Sequence, residues 1–149
     1  MRPSHVPPHL HASLAYRVTH AQRVLRRGFL ALMRANDLGD LSPEQWWMLA
    51  QVAHQPGCTQ VDLSDELFGD RPNVTRMLDR LESAGLITRA ADAEDARKRR
   101  VWLTDAGSLL TERVMRAVEQ ERARLYKGLD PDDVAATLRV LDALEQIHR

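Results

Sequence analysis

Apolar residues recur every three or four positions along most of this chain, the period of helices with one buried stripe. The first such stretch runs from about Leu10 to Ala35. Leu10, Leu14, Val18, Ala21, Leu25, Phe29 and Leu32 share one face, and the opposite face is rich in arginine. A second helix begins at Ser42-Pro43-Glu44-Gln45. This is a capping box, with Ser at the cap, Pro in the first turn and Gln returning a hydrogen bond. Trp46, Leu49, Ala50 and Ala53 form its inner face, and His54-Gln55-Pro56-Gly57 ends it. A short third helix starts at Thr59, paired with Asp62 in the same kind of cap. It carries Val61, Leu63 and Leu67 and stops near Phe68-Gly69. A fourth follows almost at once, with Asp70 as its cap and Pro72 in its first turn, where a missing N–H costs nothing. Val74, Met77, Leu78 and Leu81 make its inner face, and Gly85 lies just beyond its end.

The period then changes. Leu86-Ile87-Thr88-Arg89 and Arg99-Arg100-Val101-Trp102-Leu103 read as two strands, separated by a polar stretch from Ala90 to Arg97. Thr104 caps a fifth helix with Asp105 in its first turn, lined by Leu109, Leu110, Val114, Ala117, Val118 and Leu125 and closed by Gly128. Asp130-Pro131-Asp132-Asp133 opens a sixth, with Val134, Leu138, Leu141, Leu144 and Ile147 at helical spacing. A short helix, a tight turn, a helix and a hairpin directly behind them make a winged helix-turn-helix. The fold class is therefore mainly α with a two-stranded β wing, flanked by long helices at either end of the chain.

Composition sharpens this picture by what it withholds. Twenty-one basic and 21 acidic residues cancel, so a nucleic-acid partner must be argued from where charges sit. They sit unevenly: no acid precedes Asp37, although six arginines do, and a second basic run is Arg97-Lys98-Arg99-Arg100. The single cysteine, Cys58, excludes a disulfide framework and any multi-cysteine metal site, and a reducing, cytoplasmic setting is expected. No apolar run approaches the roughly 20 residues needed to span a bilayer. The first residues, with Pro3, Pro7 and Pro8 and no apolar stretch, read as an arm rather than a signal peptide. No Ser-His-Asp order, glycine-rich phosphate loop or paired carboxylates in a catalytic context occurs, so no catalytic residue, metal ligand or cofactor is expected.

Several motifs run in a set order. They are Leu41-Ser42-Pro43-Glu44-Gln45-Trp46, Thr59-Gln60-Val61-Asp62-Leu63-Ser64, and Arg71-Pro72-Asn73-Val74-Thr75-Arg76-Met77-Leu78-Asp79-Arg80-Leu81. Gly85-Leu86-Ile87-Thr88-Arg89, Asp95-Ala96-Arg97 and Leu103-Thr104-Asp105-Ala106-Gly107 follow. Together they resemble the multiple-antibiotic-resistance-regulator (MarR) family over about Leu41 to Leu110. The third segment matches its recognition helix, the fifth its wing signature Asp-x-Arg, and the sixth the Leu-Thr-x-x-Gly behind the wing. Ala96 departs from the pattern, standing where the family often has a second arginine. The resemblance implies a homodimeric transcriptional repressor on a pseudo-palindromic double-stranded DNA operator, released by a small aromatic or anionic ligand. It implies an arm over residues 1–9 and one domain over 10–149. Within that domain, 10–36 and 105–149 would be dimerisation helices and 41–104 the DNA-binding region.

A recognition helix puts its N-terminal residues at base edges in the major groove. Arg71, Pro72, Asn73, Thr75, Arg76 and Arg80 are the candidates. Arginine suits guanine and asparagine adenine, whereas threonine suits either a phosphate or a thymine methyl. In the wing the candidates are Asp95, Arg97, Lys98 and Arg99. A guanidinium at Arg97 suits a narrow minor groove, and Asp95 is placed to orient it. Arg99 and Arg100 alternate across the strand, so one of the two points away from DNA. For an effector the candidates are Tyr16, Arg17, His20 and Trp47, although plain packing is the commoner role for such residues. Trp46 is expected in the core. Cys58 as a redox switch and His5, His9 and His11 as metal ligands are weaker ideas than ordinary packing and surface roles. The competing functional reading is a winged-helix module that binds protein without DNA specificity, against which the arginines of the recognition helix and wing argue.

Overall fold

The computed structural model describes residues 6–65, 71–95 and 97–147. The order is α1 (Pro8–His11), α2 (Leu14–Ala35), α3 (Pro43–His54), α4 (Gln60–Leu63), α5 (Arg71–Ser83), β1 (Ile87–Ala91), β2 (Arg99–Leu103), α6 (Asp105–Tyr126) and α7 (Pro131–Ile147). The chain divides into two compact units, Met1–Val118 and Glu119–Arg149.

Local signals account for most element ends in the first unit. Ser42 accepts from the Gln45 amide while the Gln45 side chain accepts from the Ser42 amide, and Thr59 and Asp62 do the same at α4. The expected single first helix is broken. Ala12 and Ser13 interrupt it, and Ser13, in an extended conformation, accepts from the Tyr16 amide and starts α2 afresh. A serine flanked by helix formers competes for the backbone in this way, and the apolar stripe runs through the break without recording it. Pro8 and His9, assigned to the arm, belong to α1. The far end of α2 is closed by Asp37, whose φ of 51° lets the Leu38 amide reach back to the Met33 carbonyl at 3.0 Å. The Arg113 guanidinium donates to the carbonyls of Asn36 and Asp37, tying this turn to α6.

β1 and β2 pair antiparallel, Ile87 opposite Leu103 and Ala91 opposite Arg99. Ala90 and Ala91, expected in the loop, extend β1, because pairing with Arg100 and Arg99 overrides their weak strand propensity. The loop ahead of α4 lies along β2. The Gly57 amide donates to the Val101 carbonyl, and the Val101 amide to that of Cys58. Gly57 has a φ of 79°, and a Cβ there would come within 3.1 Å of the Trp102 ring. The core joins these elements, with Met48, Leu49, Val52, Leu78, Val101 and Val114 fully buried. Trp46 and Cys58 are in it too. The helix of α6 starts hard against the chain before β1: a Cβ on Gly107 would lie 1.9 Å from the Leu86 carbonyl oxygen. This close approach is the physical reason for the glycine in Leu-Thr-x-x-Gly. Thr104 completes the joint, its hydroxyl donating to the Gly85 carbonyl and accepting from the Gly107 amide.

In the second unit, α7 is capped by Asp130, whose carboxylate accepts from the Asp132 amide. Leu138, Val140, Leu144 and Ile147 on α7 are exposed. The expectations on Leu67, on the end near Phe68-Gly69, on the Asp70 cap, on Arg2, Pro3 and His5, and on Ala96 fall outside the described residues.

Candidate DNA-binding interface

The helix α5 is fixed by Val74, Met77, Leu78 and Leu81, all buried at helical spacing. That choice of inner face decides the outer one. Arg71, Pro72, Arg76 and Arg80 are exposed, and Asn73 and Thr75 are half-buried. No ion pair engages Arg71, Arg76 or Arg80 among the described residues, so three guanidiniums on one short helix retain their donors. Such groups suit bidentate bonds to guanine or phosphate oxygens. Thr75 differs. Its hydroxyl donates to the Arg71 carbonyl at 3.0 Å and accepts from the Gln60 side-chain amide at 2.5 Å.

The acids of α5 are spent inside the molecule. Arg89 on β1 bonds Asp79 at 2.7 Å and Glu82 through its guanidinium and backbone amide. The Arg89 side chain is 12% exposed. Its bonds hold the Glu82 carboxyl below the usual carboxylate range. Sequence reasoning missed this clamp, because nothing local links a strand residue to helix positions seven and ten earlier.

The wing is braced from below and free at its tip. Asp92 is buried, and it accepts from the Glu94 and Asp95 amides and from the Arg100 guanidinium. These bonds, the two backbone amides first, pull its carboxyl from 3.8 to about 2. Arg100 also donates to the Gly57 carbonyl at 2.9 Å, so it ties the wing to the loop ahead of α4. At the tip, Arg97 bonds Asp95 at 3.0 Å with its side chain 91% exposed. The same bond, with the Arg97 backbone amide, lowers the Asp95 carboxyl. Lys98 is exposed, and Arg99 donates to the Arg89 carbonyl at 3.4 Å. The wing candidates are thus gathered in one turn, and Asp95 and Arg97 are paired as the sequence suggested.

The effector candidates are more scattered. Tyr16 stacks on His20 with ring centroids 6.0 Å apart, and Arg17 beside them is exposed. Trp47, for which packing was the commoner expectation, is half exposed, because α3 turns Trp46 and Met48 inward on either side of it. A separate cleft of about 580 Å³ opens between the end of α3, β2 and α6, lined among others by Val52, Pro56, Trp102, Leu103, Met115 and Arg116. None of Tyr16, Arg17, His20 and Trp47 lines it. Among the described residues no three His, Cys, Asp or Glu side chains gather to hold a metal, and no helix is long and apolar enough to cross a membrane.

This geometry matches known proteins. A MarR family model matches residues 39–98, the span from the turn before α3 to the wing. The transcriptional repressor CouR bound to a 23-mer DNA duplex is 29% identical, with 95% of this chain and 99% of that one covered and a TM-score of 0.83. BpsR of Bordetella bronchiseptica, whose DNA binding is regulated by 6-hydroxynicotinic acid, is 26% identical over 87% of this chain and 98% of that one, with a TM-score of 0.67. A mutant of MarR from E. coli is likewise 26% identical, over 95% and 98% of the two chains, with a TM-score of 0.67. Residues 39–98 thus match the MarR family, and over most of its length the chain is similar to solved MarR-family transcription regulators of the winged helix-turn-helix fold.

Proposed function

We propose that this protein is a homodimeric repressor that binds a pseudo-palindromic operator through α5 in the major groove and the wing tip in the minor groove. The observation that carries the reading is the state of the charges. Both acids of α5 are paired with Arg89, while Arg71, Arg76 and Arg80 carry no ion pair among the described residues and Arg97 stands out from the wing. A neutral chain thereby offers cations on one helix and one loop. In this reading Arg71, Asn73 and Arg76 contact base edges, Pro72 sets the helix start, and Arg80, Lys98 and Arg99 hold phosphates. Exposed apolar residues support dimerisation: Leu14, Val18 and Leu25 on α2, and Leu138, Leu144 and Ile147 on α7. Two-fold symmetry would set the two recognition helices about 34 Å apart, one turn of DNA.

A small aromatic acid or its acyl thioester is the effector class in this reading. CouR has been captured with p-coumaroyl-CoA as well as with DNA, and BpsR answers to 6-hydroxynicotinic acid. Tyr16, Arg17, His20 and Trp47 remain the proposed contacts. An effector acts only by binding the DNA-competent and released states unequally. The test is selection of duplexes from a random pool, followed by sedimentation of the complex with and without hydroxybenzoates and cinnamoyl thioesters. The expected result is one enriched two-fold sequence bound by two chains and released by a member of the panel. Failure to enrich any sequence, with no salt-dependent binding to random duplex, would instead favour the protein-binding module.

A further inference from the structure

The hydroxyl of Thr75 has already committed its hydrogen. Its one hydrogen goes to the Arg71 carbonyl, and an oxygen lone pair takes the amide of Gln60, which opens α4. The hydroxyl therefore bridges the two helices of the DNA-reading pair and fixes the χ1 angle of a β-branched residue that has few alternatives in a helix. The side chain is half-buried next to exposed Arg76, and its methyl is the apolar group it can offer a ligand. Methyl groups in the major groove belong to thymine, whose 5-methyl is the one apolar mark on a base edge.

We propose that Thr75 reads one thymine in each half-site by methyl-to-methyl contact, and that Gln60 is the positioning residue that turns this methyl outward. The inference rests on α5 entering the major groove. Donation by the hydroxyl to a phosphate or a base acceptor would require breaking the bond to the Arg71 carbonyl. Loss of either partner frees the rotamer, so discrimination depends on a residue that need not touch DNA.

The test uses the full-length protein and the duplex it selects from a random pool. Each thymine is replaced in turn by deoxyuridine, which deletes the 5-methyl alone. One thymine per half-site should cost about fourfold in affinity, and the symmetric pair about 15-fold, the worth of burying one methyl group in each half-site. Thr75→Ser, which keeps the hydroxyl and removes the methyl, should bind the thymine duplex as weakly as the wild type binds the uracil duplex. It should also be indifferent to the exchange. Gln60→Ala should erase much of the thymine preference while leaving binding to random duplex unchanged, a readout that general loosening of the fold would not give. The deoxyuridine scan needs no variant, so misfolding cannot obscure it. A selected operator without thymine in its half-sites, indifference of the wild type to every exchange, or full discrimination by Thr75→Ser would overturn the proposal while leaving DNA binding intact. Failure to select any duplex would instead refute the DNA-binding reading itself.

Discussion

Replacing Gly107 by alanine isolates the joint between wing and α6. An added Cβ would stand 1.9 Å from the Leu86 carbonyl oxygen and 2.9 Å from its carbon, where real Cβ contacts essentially never fall below 3.0 Å. The helix and the chain before β1 must therefore part by at least about 1.1 Å, the difference between 3.0 and 1.9 Å. Both sides are backbone, so no rotamer change relieves the clash. The Leu86 carbonyl also accepts from the Thr104 amide at 3.0 Å, a bond that the movement stretches. Overpacking costs about 1–3 kcal/mol and a weakened hydrogen bond about 1 kcal/mol. Alanine returns up to about 1 kcal/mol of helix propensity. The net loss is about 1–3 kcal/mol, which lowers the melting temperature of a chain this long by about 2–12 °C. Thermal unfolding by circular dichroism measures it, with Gly28→Ala as the matched control. Gly28 is also helical but has nothing within 4 Å of an added Cβ, so the same substitution there should hold or raise the melting temperature. If Gly107→Ala melts at or above the wild type, the steric account of the Leu-Thr-x-x-Gly motif is wrong.

Other outcomes follow from the interface. Arg97→Ala should leave the melting temperature nearly unchanged, because an exposed pair contributes only about 0–1 kcal/mol. Its affinity penalty should shrink about 12-fold between 50 and 200 mM salt if each protomer gives up one phosphate bond, and a penalty independent of salt would take the wing off the DNA. Asp95→Ala should cost less than Arg97→Ala, and the double variant no more than Arg97→Ala, because the pair acts as one unit. Arg76→Ala should weaken operator binding by about 1–3 kcal/mol per half-site and relax specificity at one position if it reads a base. Equal losses on operator and random duplex would assign it to phosphate. The Asp92 carboxyl, held at about 2 against 3.8, stabilises the wing fully above pH about 4 and ceases to do so as pH falls through about 2. Protection of the Glu94 and Asp95 amides, taken relative to the intrinsic exchange rate at each pH, should fall across that window in the wild type and be flat in Asp92→Asn.

What the sequence revealed was what neighbouring residues decide among themselves. The two capping boxes, the Asp95–Arg97 pair and the buried face of α5 involve residues two to seven apart, and their spacing states the geometry. The interruption at Ser13 was hidden because a broken helix and an unbroken one share the same stripe. The bridge from Gln60 to Thr75 spans 15 residues, and the bond from Arg100 to Gly57 spans 43. Those partners meet only once the core has set α4, α5 and β2 against each other, so no local pattern announces them. The cleft beside Trp102 is of the same kind, a void between three elements rather than a property of any one.

The clamp of Arg89 on Asp79 and Glu82 bears on how any salt titration of this protein is interpreted. Two carboxylates on the helix that would approach a polyanion are held by a counter-ion covalently part of the chain. Arg89 is only 12% exposed, although Asp79 and Glu82 are 56% and 37% exposed, so its bonds lessen their draw on mobile ions. Raising ionic strength should therefore strip the partners from the outward guanidiniums without uncovering the acids behind them. The slope of log affinity against log salt is then set mainly by phosphate contacts. Arg89→Gln would break that separation: free sodium would become the counter-ion of Asp79 and Glu82, and part of the repulsion from DNA would itself become salt-dependent.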